Sequence, residues 1–212
     1  MSRKGQNKLE DRDQKLYAMT MEEIKRRNSA IYDALNGFSP SQPKIILAEF
    51  CCLQLRYICE LIAVGCLVAH GELRGNSRQL LRKWHAGEII RHLEKVHPDF
   101  YPLPTKQILG GDGKVNRLEP INEPYLSKID LIQEYGWLGN QLHIGNFKKF
   151  VSRSNRDVEF SKIDQLATKI RNLLNHHCIQ LIDSDFQIWT IMQANSDGRV
   201  HVYLMEKAQN PT

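Results

Sequence analysis

The chain has 212 residues, 42% of them hydrophobic and 25% charged, with a formal net charge of +5. That is enough apolar mass for one domain to bury its own core without a metal or disulfide staple, and the charged fraction is that of a globular chain rather than a disordered one. Residues 2–15 are charged and polar, which argues against a secretory leader and sets the expectation of a cytoplasmic protein. The modest positive charge favours an acidic partner such as nucleic acid, although it is spread along the chain.

In chain order, residues 1–19 read as a flexible charged lead. Thr20 with Glu23 then forms a capping box for a first helix that ends near Asn36 and Gly37. Its run Lys25, Arg26 and Arg27 has the form of a solvated basic face, with nucleic-acid contact as the alternative. Pro43 opens a long second helix running to His70. The most apolar part of that helix, residues 57–69, is shorter than the roughly 20 residues that cross a bilayer, so it reads as a core helix and no membrane is expected. Cys52, Cys59 and Cys66 recur along it every seven residues as small buried hydrophobes, and no Cys-x-x-Cys metal spacing occurs. Arg56 and Glu60 lie one turn apart there. They form either a structural ion pair or the lining of a polar cleft.

Ser77 caps a third helix that stops before Pro98, with Leu80, Leu81, Trp84, Ile89 and Leu93 facing the core. Residues 98–124 read as irregular, and the glycine-rich stretch from Gly110 to Lys114 as a turn, because it lacks the spacing of a phosphate loop. A fourth helix follows Pro124, with Leu126, Ile129, Ile132 and Trp137 on its apolar face and weakening at Gly136, Gly139 and Gly145. A fifth runs from Glu159 to about Asp183, with Ile163, Leu166, Ala167, Ile170, Leu173, Leu174 and Leu181 at helical spacing. Alternating apolar residues on either side of Asn195-Ser196-Asp197-Gly198 then give a β-hairpin over 186–206. The expected architecture is mainly α: a single domain over residues 1–212, built as a bundle of about five helices over 20–183 with a C-terminal hairpin.

The string Arg171-Asn172-Leu173-Leu174-Asn175-His176-His177 resembles the Arg-polar-x-x-x-His motif of the HEPN superfamily. The resemblance covers these residues and the helical architecture. It implies a small helical protein, commonly a homodimer, and a metal-independent ribonuclease of toxin or antiviral type, with RNA as substrate and an antitoxin or other protein as partner. On a continuous helix His177 would share the buried stripe while His176 and Arg171 would not. A two-fold axis would therefore be needed to gather the pairs. Arg171, His176 and His177 are the catalytic candidates: a histidine near its ordinary pKa would take the 2′-hydroxyl proton, and Arg171 would stabilise phosphate charge. Asn172 or Asn175 would orient the imidazole or contact phosphate. His143, in Asn140-Gln141-Leu142-His143-Ile144-Gly145, is a further candidate, although no arginine precedes it at the family spacing. No acidic cluster suits Mg²⁺, so neither a metal nor another cofactor is expected. His176, His177 and Cys178 adjoin, but neighbours on a helix diverge and are a poor zinc set. The alternative function is a non-catalytic helical module that binds protein or nucleic acid.

Overall fold

In a computed structural model, the described residues are 3–37, 39, 43–71, 85–143, 159–182 and 185–206, with side chains described from residue 12 onward. The elements are α1 (Arg3–Asn36), α2 (Lys44–Ala69), α3 (Ala86–Val96), β1 (Leu103–Leu109), β2 (Val115–Pro120), α4 (Lys128–Leu142), α5 (Phe160–Leu174), β3 (His176–Gln180), β4 (Phe186–Ile191) and β5 (His201–Glu206). The strands form one antiparallel sheet in the order β2-β1-β3-β4-β5. The architecture is therefore mixed, helices packed on a five-stranded sheet, and not a helical bundle carrying only a terminal hairpin.

The apolar helix α2 is the centre of the core and packs against α1, α3, α4 and α5. By length and composition alone it could cross a membrane, and 61% of its most apolar window is buried inside the protein. Cys51, Cys52, Cys59, Cys66 and Cys178 are all buried as free thiols, and burial raises Cys59 to about 12. At Gly65 the missing side chain makes room for side chains of α1: a Cβ there would sit 3.1 Å from Met21 Cε and 3.4 Å from Tyr17 Cε2.

Several expectations are corrected. Helix α1 begins at Arg3, so the proposed flexible lead is helical, and Tyr17 within it is wholly buried. Thr20 is inside this helix and donates its hydroxyl to the carbonyl of Leu16 at 2.8 Å, instead of capping. The segment 98–124 contains the β1–β2 hairpin, whose turn closes through Gly110 N–H to Lys114 O at 2.7 Å and through Gly113 at φ 74°. Helix α4 turns Leu131, Tyr135 and Leu138 inward and leaves Ile129 exposed. Helix α5 buries Ile163, Leu166, Ala167, Ile170, Leu173 and Leu174 as expected, but ends at Leu174. The chain then turns into β3. The expected start of helix three at Ser77, with Leu80, Leu81 and Trp84, lies outside the described residues, as does Gly145.

The sheet register sorts side chains into two faces. His177, Ile179, Ile188 and Thr190 point to the helices and are buried. Cross-strand pairing puts Leu103, Cys178, Trp189 and Tyr203 in one row on the other face, flanked by the row His176, Ile191 and His201 and the row Gln180, Gln187 and Met205. Leu103, Tyr203 and Met205 are each about half exposed (53%, 46% and 51%). One side of the antiparallel sheet therefore covers the core and the other is turned outward.

Candidate functional site

The expected single-helix motif is divided between two elements. Arg171 and Asn172 lie in the last turn of α5, Asn175 is the C-cap, and His176 and His177 open β3. Adjacent strand residues point to opposite faces, so the two histidines have opposite environments.

His177 is fully buried. Its Nδ1–H donates to Leu174 O at 2.8 Å, and its Nε2 accepts from the Tyr17 hydroxyl at 2.7 Å. Both ring nitrogens are satisfied in the neutral form, and burial pulls the pKa down to about 4. A histidine so enclosed is a core residue and is poorly placed as a general base for a macromolecular substrate.

His176 occupies the fork where β1 leaves β3. Strand β1 pairs with β3 only through Leu103 and Pro104, and from Thr105 onward it pairs with β2. The imidazole bridges the gap, with Nδ1 2.6 Å from Thr105 Oγ1 and Nε2 3.3 Å from Gln107 Nε2. Since the Gln107 amide nitrogen can only donate, Nε2 accepts and Nδ1–H donates to Thr105. Burial lowers this pKa as well. The fork opens into a cleft of about 480 Å³, lined by His176, Gln107, Asn172, Asn175, Gln193 and Asn195 among others. Asn172 donates its side-chain amide to Pro124 O at 2.8 Å.

No protein-family model, curated protein or solved structure matches this chain. Its function is therefore read from the geometry alone.

Arg171 is exposed on α5 with its guanidinium 5.5 Å from the centre of the Tyr32 ring. Among the described residues no carboxylate pairs with it. It lines a second depression, of about 190 Å³, between α1, α5 and the segment after β4; Asn175 and Gln193 line both this depression and the His176 cleft. The structure thus brings Arg171, Asn175 and His176 to adjoining concavities.

The other candidates lie apart from these. Arg56 and Glu60 form an ion pair at 3.6 Å that is completed by Tyr135 of α4: the Tyr135 hydroxyl accepts from Arg56 Nη2 at 2.8 Å and donates to Glu60 Oε1 at 2.8 Å. With the guanidinium also 4.1 Å from the Tyr135 ring centre, this is a tie between α2 and α4. His143 stands exposed at the C-terminal end of α4, its backbone N–H bonded to Gly139 O at 3.2 Å. The basic run is held in contacts: Lys25 Nζ donates to Met192 O and Gly198 O, and Arg26 and Arg27 pair with Glu23. Lys25 thereby pins the β4–β5 connection that forms one wall of both concavities.

The sequence reading missed the outward sheet face. His176 and Trp189 have ring centroids 5.8 Å apart, Trp189 and Tyr203 are cross-strand partners, and the Tyr203 and His201 rings are 6.2 Å apart. The four rings lie on three strands as two ring pairs, His176–Trp189 and Tyr203–His201, joined by the strand pairing of Trp189 with Tyr203. None of the residues in the three outward rows is Asp, Glu, Lys or Arg. The alternation in the hairpin carried this signal, since Trp189 and Ile191 share a parity opposite to that of Ile188 and Thr190.

Proposed function

We propose that this protein is a non-catalytic module that binds single-stranded RNA on the outward face of its sheet. The aromatic row on the outward face, half-exposed Tyr203 paired across the strands with half-buried Trp189 and flanked by the His201 and His176 rings, is the observation that supports this reading. Every unpaired base has a π-face, and aromatic side chains on an accessible sheet supply a stacking surface for it. The outward rows themselves hold no carboxylate residue, although Asp197 pairs with His201 at 3.2 Å at their edge. Arg171 in the adjoining depression offers a cation to the backbone, whereas Lys106 in the cleft pairs with Glu119 at 4.0 Å and shares the cleft with Glu123. The net charge of +5 has the matching sign. Amide and hydroxyl groups in the fork, such as Gln107 and Thr105, are suitable partners for a 2′-hydroxyl.

The test is fluorescence anisotropy of labelled single-stranded RNA with wild-type protein and with Trp189→Ala and Tyr203→Ala, at about 50 mM salt to keep phosphate contacts strong. Each substitution should weaken binding by about 5- to 150-fold, the loss of one stacked base. Absence of binding, or affinity indifferent to both substitutions, would contradict the proposal.

The shared walls of the two concavities favour a second reading, a metal-independent ribonuclease of the kind the Arg171-to-His177 resemblance implies. There His176 Nε2, already unprotonated, would act as base and Arg171 would hold phosphate. In the presence of EDTA, RNA cleavage that disappears in both Arg171→Ala and His176→Ala would support this reading over simple binding; intact RNA would exclude it.

A further inference from the structure

The imidazole of His176 lines the cleft together with both of its hydrogen-bond partners, Thr105 and Gln107. In the neutral ring Nδ1–H donates to Thr105 Oγ1 at 2.6 Å and Nε2 accepts from the Gln107 amide at 3.3 Å. Gln107 is exposed, so its amide is free to turn over and present its oxygen in place of its nitrogen. An imidazolium would then keep both bonds as a donor, with the one to Gln107 strengthened by charge. Burial alone holds the ring neutral, and a charge under cover needs an opposite charge beside it. The ionisable neighbours do not supply one. Lys106 of β1 pairs with Glu119 of β2, Glu123 is an exposed carboxylate of the cleft, Arg171 of α5 lies in the adjoining depression, His177 points into the core, and His201 of β5 pairs with Asp197. Among the described residues no carboxylate bonds to His176, so an anion entering the cleft would be its counter-charge.

We infer that single-stranded RNA binds with uptake of one proton on His176, so that its hold on the cleft tightens as the solution becomes more acidic. The inference deepens the RNA-binding reading and rests on it for the identity of the anion. The Trp189 ring, the proposed stacking surface, is 5.8 Å from that of His176, so a nucleotide stacked there brings its sugar-phosphate to the cleft. A phosphodiester is fully charged near neutral pH and favours the charged ring over the neutral one. The sign follows from linkage: RNA raises the affinity of His176 for a proton, and the proton raises the affinity of the protein for RNA by the same factor. One proton limits the gain to about tenfold per pH unit, between the free and RNA-bound pKa values. His201 lies on the same face, but Asp197 stands 3.2 Å from its ring without RNA, so a phosphate changes its surroundings less.

The experiment measures binding of an oligouridylate, whose bases take up no proton in this range, from about pH 8 to about pH 5.5, with a melting curve at each pH. Wild-type protein is compared with His176→Asn, His201→Asn and Glu123→Gln. Wild-type affinity should rise about three- to tenfold per pH unit over part of this range, and calorimetry in buffers of different ionisation enthalpy should show proton uptake on binding. His176→Asn keeps a donor for Thr105 and has no proton to gain, so its affinity should not vary with pH, whatever its size. His201→Asn and Glu123→Gln should retain the wild-type dependence. NMR titration of the His176 ring in wild-type protein needs no variant, and its pKa should move up when RNA is added. Binding through Trp189 without proton uptake, or a pH dependence lost in His201→Asn or Glu123→Gln instead, would overturn the linkage and leave the platform standing. Absence of oligouridylate binding at every pH would remove the RNA reading and the linkage with it.

Discussion

The two neighbouring histidines show how one peptide step separates a group sealed in the core from one buried under the outward face beside a cleft. His177 is neutral in the fold, with a pKa near 4 against an ordinary value of 6.5. The folded state therefore binds fewer protons than the unfolded chain between these values, and stability falls as pH drops from about 6.5 to 4. The contribution at stake is roughly 3 kcal/mol, present in full above the unfolded pKa and lost below the folded one. His176, whose pKa is also lowered by burial, adds to the same trend. Urea unfolding at a series of pH values should show this loss, and His177→Phe should flatten much of it. Tyr17→Phe removes the hydroxyl that donates to His177 Nε2 and leaves that nitrogen buried without a donor. The expected cost is about 1–3 kcal/mol, read as a lower urea midpoint at neutral pH.

Among the elements, the ties between helices are polar as well as apolar. Tyr135→Phe deletes the hydroxyl that joins Arg56 to Glu60 while keeping the ring beneath the guanidinium. Because both charged partners are partly exposed and can rehydrate, the expected loss is only about 1 kcal/mol in thermal or urea denaturation. Loss of several kcal/mol would mean that the triad carries more of the α2–α4 contact than its exposure allows. The elements legible in the sequence were α2 and α5, which bury the residues their periodicity marks, and the β4–β5 hairpin, whose alternation is observed although only Ile188 and Thr190 of its strands are buried. The β1–β2 ribbon was not legible because neither of its faces is apolar, and only its glycine-rich turn stood out. Strand β3 was read as helix because Leu173, Leu174 and Leu181 keep helical spacing across it, while its alternation, with His177 and Ile179 inward, spans just five residues.

For the whole molecule, helices cover one face of the antiparallel sheet, and the other face, on which RNA binding is proposed, is aromatic and amide-rich. Binding there should depend on salt through the rim cations rather than through the platform. Arg171→Ala should therefore reduce the slope of log affinity against log salt by about one, while Trp189→Ala lowers affinity and leaves the slope unchanged. The most direct measurement of the central claim is a proton–nitrogen correlation spectrum of the tryptophan indole groups during titration with single-stranded RNA, with Trp189 assigned by its loss in Trp189→Phe. Trp189 donates its indole N–H to Gln187 on the outward face, whereas Trp137 lies on helix α4 under the Lys162 ammonium. RNA should shift the Trp189 resonance and leave that of Trp137 in place; an unmoved Trp189 signal at saturating RNA would contradict the sheet-face account.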